Sequence, residues 1–161
     1  MKRFLQLSFF VTCLAMLGAT QNQRVVCGGF MPKNNFNIPV GFVDGGITEA
    51  QWTALFDKYE KIYAPIIESR GGKLILNRLW DDGTVNANAS QTGNEWTINM
   101  FGGLARYPIM TLDGMALVIC HETGHHMGGA PKYYDDPAEW ATTEGGADYF
   151  AAVCRNFRIQ D

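Results

Sequence analysis

Residues 120–129 read Cys-His-Glu-Thr-Gly-His-His-Met-Gly-Gly, and the reading of this stretch decides the fold. His121, Glu122 and His125 make the pattern H-E-x-x-H. On a helix, residues i and i+4 share one face, one turn apart, so His121 and His125 can hold one metal ion together. Imidazole nitrogen suits zinc. Glu122 points about 100° around the helix from His121. From there it can reach a water beside the ion without being a ligand. Two histidines that hold the ion and a glutamate that takes a proton from water are the division of labour in zinc hydrolases.

The residues upstream support a helix. Met115 to Cys120 are apolar nearly all round, which suits a helix buried in a core. Thr111 is the expected N-cap, with Asp113 favourable in the first turn. Gly128 and Gly129, followed by Pro131, are the expected stop.

At 161 residues the chain is expected to form one domain with a real core. Hydrophobic content of 47% and charged content of 18% are globular values. The net charge of −3, with no basic block, excludes nucleic acid as an expected partner. Lys2 and Arg3 precede an apolar, uncharged run from Phe4 to Gly18, and Ala19 offers a small residue for cleavage. Residues 1–19 therefore read as a signal peptide. The run is shorter than the roughly 20 residues a membrane span needs, so no stable span is expected after its removal. The expected location is exported, either secreted or periplasmic, and anchoring to the membrane by an uncleaved signal is the alternative. Cys13 lies in this segment, leaving Cys27, Cys120 and Cys154. An oxidising compartment permits a Cys120–Cys154 disulfide; two buried free thiols are the alternative.

Residues 20–46, rich in Gly, Asn and Pro, read as an irregular lead-in with one short strand around Val40–Val43. The expected catalytic domain is 47–161. Thr48 and Gln51 have capping-box spacing. Trp52, Leu55, Phe56, Tyr59, Ile62, Tyr63, Ile66 and Ile67 then follow a helical period and read as core. Pro65 should kink this helix near its end. Strands are expected over 73–80, 85–90 and 95–101, with turns at Asp81-Asp82-Gly83 and at 91–94. Asp136-Pro137-Ala138-Glu139 reads as the cap and first turn of a last helix running to about Phe157. Gly145-Gly146 would then fall inside it, and close approach to another helix would explain them.

A catalytic zinc usually has three protein ligands and an open position. His126 lies about 100° beyond His125, off the metal face, and there is no other histidine. Glu144 and Asp148, i and i+4 on the last helix, are the candidates. Glu144 can reach the ion, and Asp148 can accept the ring N–H of a ligand histidine and fix its tautomer. The reverse assignment is the alternative.

With these residues the chain resembles a gluzincin metallopeptidase. His121-Glu122-x-x-His125 followed by Glu144-x-x-x-Asp148 is similar to that clan's two-helix signature, and the gap is close to that of thermolysin-like enzymes. The details also resemble the CaaX-type and heat-shock membrane zinc peptidases. Asn86-Ala87-Asn88-Ala89, Gly93, Trp96 to Met100 and Gly103-Leu104 precede the metal helix as in that family, and Ala147-Asp148 matches too. The resemblance covers residues 85–155. It implies Glu122 as base, His121, His125 and Glu144 as ligands of one Zn2+ per chain, and Asp148 as orienter. It also implies a peptide or protein substrate that pairs with the 85–90 strand, through Asn86 and Ala87, by β-augmentation.

The chain departs from those families in having no following membrane helices, a shorter gap than the membrane peptidases and no helical lobe after Asp148. These departures imply an open cleft, or one completed by a partner chain. No second histidine is available for the oxyanion, and Tyr134 or Tyr133 is the candidate in its place. The expected fold is α+β, a minimal zincin-like arrangement of a small mixed sheet, a backing helix and two metal-bearing helices. The expected activity is zinc-dependent peptide-bond hydrolysis. The rival reading is a catalytically inactive, zinc-stabilised module, structural or peptide-binding. The intact Glu122 and the absence of an evident fourth ligand favour the enzyme.

Overall fold

The computed structural model describes residues 24–25, 29–42, 46–134 and 138–158. The expected signal segment and Cys27 lie outside them. The fold is α+β. A mixed sheet with strand order β1-β3-β4-β2 is built from Arg24–Val25 (β1), Lys73–Leu79 (β2), Ala87–Thr92 (β3) and Glu95–Phe101 (β4). Four helices accompany it: Glu49–Ser69 (α1), Gly102–Ala105 (α2), Leu112–Met127 (α3) and Glu144–Arg158 (α4).

β4 is the central strand. It pairs in parallel with β2 (Leu76 opposite Ile98) and antiparallel with β3 (Ala89 opposite Ile98). Alternation along the strands puts Leu74, Leu76, Ala87, Ala89, Ile98 and Met100 on one face. The other face carries a ladder of half-buried asparagines, in which Asn77 donates to Asn99 and Asn99 donates to Asn88, both at 2.7 Å.

The apolar face packs on α1 and α3. In α1 the capping box is complete, since Thr48 Oγ1 accepts from Gln51 N and Gln51 Oε1 accepts from Thr48 N. Trp52, Phe56, Tyr59, Tyr63 and Ile67 are buried, so the aromatic stripe is core, and the helix continues through Pro65 to Ser69. Arg78 on β2 holds α1 through Asp57 and Glu60. Arg106, 5% exposed, donates to the carbonyls of Ile38, Trp80 and Asp82, and so fastens the lead-in to the end of the sheet.

Three expectations are corrected. The second strand runs Ala87–Thr92 instead of 85–90, because residues up to Asn86 bond to the lead-in. Residues 40–42 form a turn closed by Phe42 N on Pro39 O, and the lead-in's strand is Arg24–Val25. The last helix starts at Glu144, not at 137. Ala138–Thr143 is instead held by long-range backbone bonds: Tyr133 N to Ala141 O, Thr142 N to His125 O and Thr143 N to Pro131 O.

That late start puts Gly145 and Gly146 in the first turn of α4, where Gly146 O lies 3.3 Å from the place a Cβ on Gly128, the C-cap of α3, would take. The close approach falls on Gly124 of α3, where a Cβ would lie 2.8 Å from Ala147 Cα. The two helices are further tied by a Cys120–Cys154 disulfide, with a Cα–Cα distance of 5.9 Å.

Candidate metal centre

α3 is capped as its sequence asks, with Thr111 Oγ1 accepting from Gly114 N. Its apolar flank holds the helix deep, so His121 and His125 are 4% and 3% exposed. α4 packs along it, and the tight Gly124–Ala147 contact sets the spacing. Glu144, in the first turn of α4, is thereby brought over both histidines.

The geometry fixes the direction of the ring lone pairs. His125 Nδ1 is 2.8 Å from the Thr142 carbonyl, which can only accept, so Nδ1 carries the proton. His121 Nδ1 is 2.8 Å from Asp148 Oδ1 and donates in the same way. Both Nε2 atoms are then bare acceptors. They converge on Glu144 Oε2, at 3.1 Å from His121 and 3.8 Å from His125. His121 Nε2 is buried without a hydrogen-bond partner.

With both rings neutral, three acceptors that face one another repel unless a cation or a further proton lies among them. Their ligand atoms all lie within 4.8 Å of one another, so His121, His125 and Glu144 are placed where they could hold one metal ion, and two imidazoles with a carboxylate are a donor set of the kind zinc accepts. Glu144, not Asp148, faces the Nε2 pair; Asp148 supports His121 from behind.

Glu122 is 1% exposed, and its Oε1 is buried with no partner. Burial, with a smaller contribution from the Glu144 charge, pushes its carboxyl up to about 8. Burial also lowers the pKa of His125, which keeps the ring neutral and able to ligate.

The remaining sequence candidates fall as follows. His126 is stacked between Trp96 and Trp140, with centroids 5.3 and 4.6 Å away, and burial pushes its pKa down to about 3. It is a packing residue. Cys120 is in the disulfide with Cys154 and is not a buried free thiol. Of the two tyrosines, Tyr133 reaches the cluster, its hydroxyl donating to Glu144 Oε1 at 3.1 Å, whereas Tyr134 is 89% exposed. Asn86 and Ala87 do lie along the site, but their edge is occupied: Phe30 N donates to Ala87 O and Met31 N to Asn86 Oδ1.

Sequence reasoning missed Thr142 and Phe30. Thr142 acts through its backbone carbonyl, which every residue has. Phe30 sits edge-on to His121, with centroids 5.3 Å apart, in a segment with no periodic signal.

No protein family, curated protein or solved structure matches the chain. Any functional reading therefore rests on the chemistry of this site.

Proposed function

We propose that the chain is an exported zinc-dependent endopeptidase of gluzincin type. The observation that carries the reading is the convergence of His121 Nε2, His125 Nε2 and Glu144 Oε2 beside the unpartnered, buried Oε1 of Glu122. Export is supported by the Cys120–Cys154 disulfide, which suits an oxidising compartment. Among the described residues no helix is long and apolar enough to cross a membrane.

In this reading His121, His125 and Glu144 hold the ion. Zinc there supplies Lewis acidity towards a peptide carbonyl and lowers the pKa of an adjacent water. Glu122 accepts a proton as the water oxygen attacks the carbonyl carbon. It then delivers that proton to the amine nitrogen as the C–N bond breaks. Asp148 and the Thr142 carbonyl keep the two rings in the tautomer that presents Nε2. Tyr133 anchors the far oxygen of Glu144.

The test is zinc content together with peptide-library cleavage, on the full chain and on Glu122→Gln. One zinc per chain, with cleavage that disappears in the variant, is the expected result. Zinc retained with no cleavage by either protein favours the peptide-binding or structural alternative. Folded protein that takes up no zinc after reloading overturns the metal site itself.

A further inference from the structure

The chain's own N-terminal region covers the side of β3 that faces away from β4. Arg24 and Val25 pair antiparallel with Gln91 and Ser90. Further along, Phe30 N donates to Ala87 O at 2.8 Å, and Met31 N to Asn86 Oδ1 at 2.8 Å. Phe36 and Asn37 then meet Val85 and Thr84. This is the course that an extended peptide would take if it added itself to the edge.

The contacts centre on the site. The Phe30 ring meets His121 edge-on, 5.3 Å between centroids. Phe30 and Met31 also line an apolar cavity of about 290 Å³ with Val85, Leu104, Met110 and Val118. Val118 lies one turn before His121 on the same helix. A single side chain thus spans a candidate ligand and the neighbouring apolar cavity. Gly29 makes the approach feasible. Its φ is +109°, and a Cβ there would lie 2.4 Å from Ala87 O.

The same segment is loosely held. Phe30 and Met31 are only half-buried, and residues 32–37 are exposed. Among the described residues 29–31, one main-chain bond joins the segment to β3, between Phe30 and Ala87; the Met31 bonds go to the Asn86 side chain. Firmer anchors lie to either side: upstream Arg24–Val25 pair with Ser90 and Gln91, and downstream Arg106 donates to Ile38 O at 2.8 Å. A short stretch with few buried contacts between two anchors is the kind that opens locally.

We infer that residues Gly29–Met31 are an inhibitory strap, which fills the groove between β3 and α3 and must swing away before an extended peptide can reach the metal centre. The inference rests on the peptidase reading for its consequence, but not for its geometry. Because the strap is tethered, its effective concentration at the groove is of millimolar order, well above that of a typical dilute substrate. If the open form is about a tenth of the population, removal of the strap raises kcat/KM about tenfold, chiefly through KM.

The experiment compares the zinc-loaded full chain with Gly29→Val, which forces the backbone off Ala87, and with the milder Phe30→Ser. Hydrolysis of a quenched fluorescent peptide is followed. The expected result is a rise of about tenfold in kcat/KM for either variant. A synthetic peptide of residues 29–34 should inhibit the Phe30→Ser protein competitively. Folded variants at wild-type zinc content, with kcat/KM within about twofold of wild type, overturn the strap. If wild type and both variants bind zinc but cleave nothing, the peptidase reading fails, and the strap is judged by binding alone. A fluorescent peptide of residues 29–34 must then bind Phe30→Ser about tenfold more tightly than wild type. Equal affinity overturns it.

Discussion

Gly124 stands between Glu122 and His125, in the last turn of α3, where a glycine costs up to about 1 kcal/mol relative to alanine. On local propensity alone, Gly124→Ala should stabilise the protein by that amount. The packing says otherwise. The new Cβ would lie 2.8 Å from Ala147 Cα, 2.9 Å from its oxygen and 3.2 Å from its carbonyl carbon. Ordinary carbon contacts are about 3.5–4.0 Å, and the atoms met are backbone, which cannot swing aside. α4 must therefore retreat by roughly 0.7–1 Å at this point, and overpacking of that kind costs about 1–3 kcal/mol.

The packing term wins, and the metal-free variant should lose up to about 2 kcal/mol. Glu144 is one turn before Ala147 on the retreating helix. Its Oε2 must stay 3.1 and 3.8 Å from the two Nε2 atoms to keep the ligand set. Functional constellations tolerate about 0.5 Å of displacement, so the zinc Kd should rise at least about tenfold, close to 1.4 kcal/mol. Urea denaturation of the metal-free protein and competition with a chromogenic chelator give the two numbers. A variant about 1 kcal/mol more stable than wild type, with unchanged zinc affinity, would refute the reasoning, because α4 would then not be spaced by Gly124.

Two further outcomes follow from the same helix pair. Asp148→Asn should weaken zinc about 10–100-fold by removing the carboxylate that orients His121, as read by the same chelator competition. The Asp148 side chain is 73% exposed, so urea denaturation of the metal-free protein should change little; a large stability loss with intact affinity would contradict the orienting role. Replacing both Cys120 and Cys154 by serine opens a loop with a sequence separation of 34, which loop-closure entropy values at about 4 kcal/mol. A urea-measured loss below about 1 kcal/mol would show that the bridge does not constrain the unfolded chain.

The metal helix was legible because its signals are local. Thr111, the apolar run Met115–Cys120 and Gly128 all act within the element they define, and α1 could be read from its capping box and helical period for the same reason. α4 shows where that stops. Asp136-Pro137-Ala138-Glu139 has the composition of a helix start, yet the helix waits until Glu144. The intervening residues spend their backbone groups on partners far along the chain, Ala141 on Tyr133 and Thr142 on His125. Long-range hydrogen bonds outweigh a propensity of a few tenths of a kcal/mol per residue. His126 could be placed off the metal face from helix geometry. Its sandwich between Trp96 and Trp140 could not, since those residues come from β4 and from the loop before α4. The strap was invisible for a related reason. An extended segment that binds an edge through its main chain needs little from its side chains, apart from one glycine and one aromatic.

The candidate ligand set is split unequally between its two helices. α3 contributes two buried histidines, whereas α4 contributes a glutamate whose side chain is 46% exposed. What holds Glu144 in place is therefore not burial but the Tyr133 hydroxyl on its far oxygen and the clamping of α4. That clamp has three parts: the Gly124–Ala147 contact, the Asp148–His121 hydrogen bond and the Cys120–Cys154 disulfide. Cys120 immediately precedes His121, so oxidation fixes α4 at the very turn that carries the first ligand. Binding free energies are linked reciprocally. If the disulfide improves the position of Glu144 for zinc, zinc must by the same factor favour the oxidised helix pair over the reduced one. Metal loading and oxidation would then reinforce each other in a compartment that supplies both, and the half-exposed ligand would be weakest in a reduced, metal-free chain.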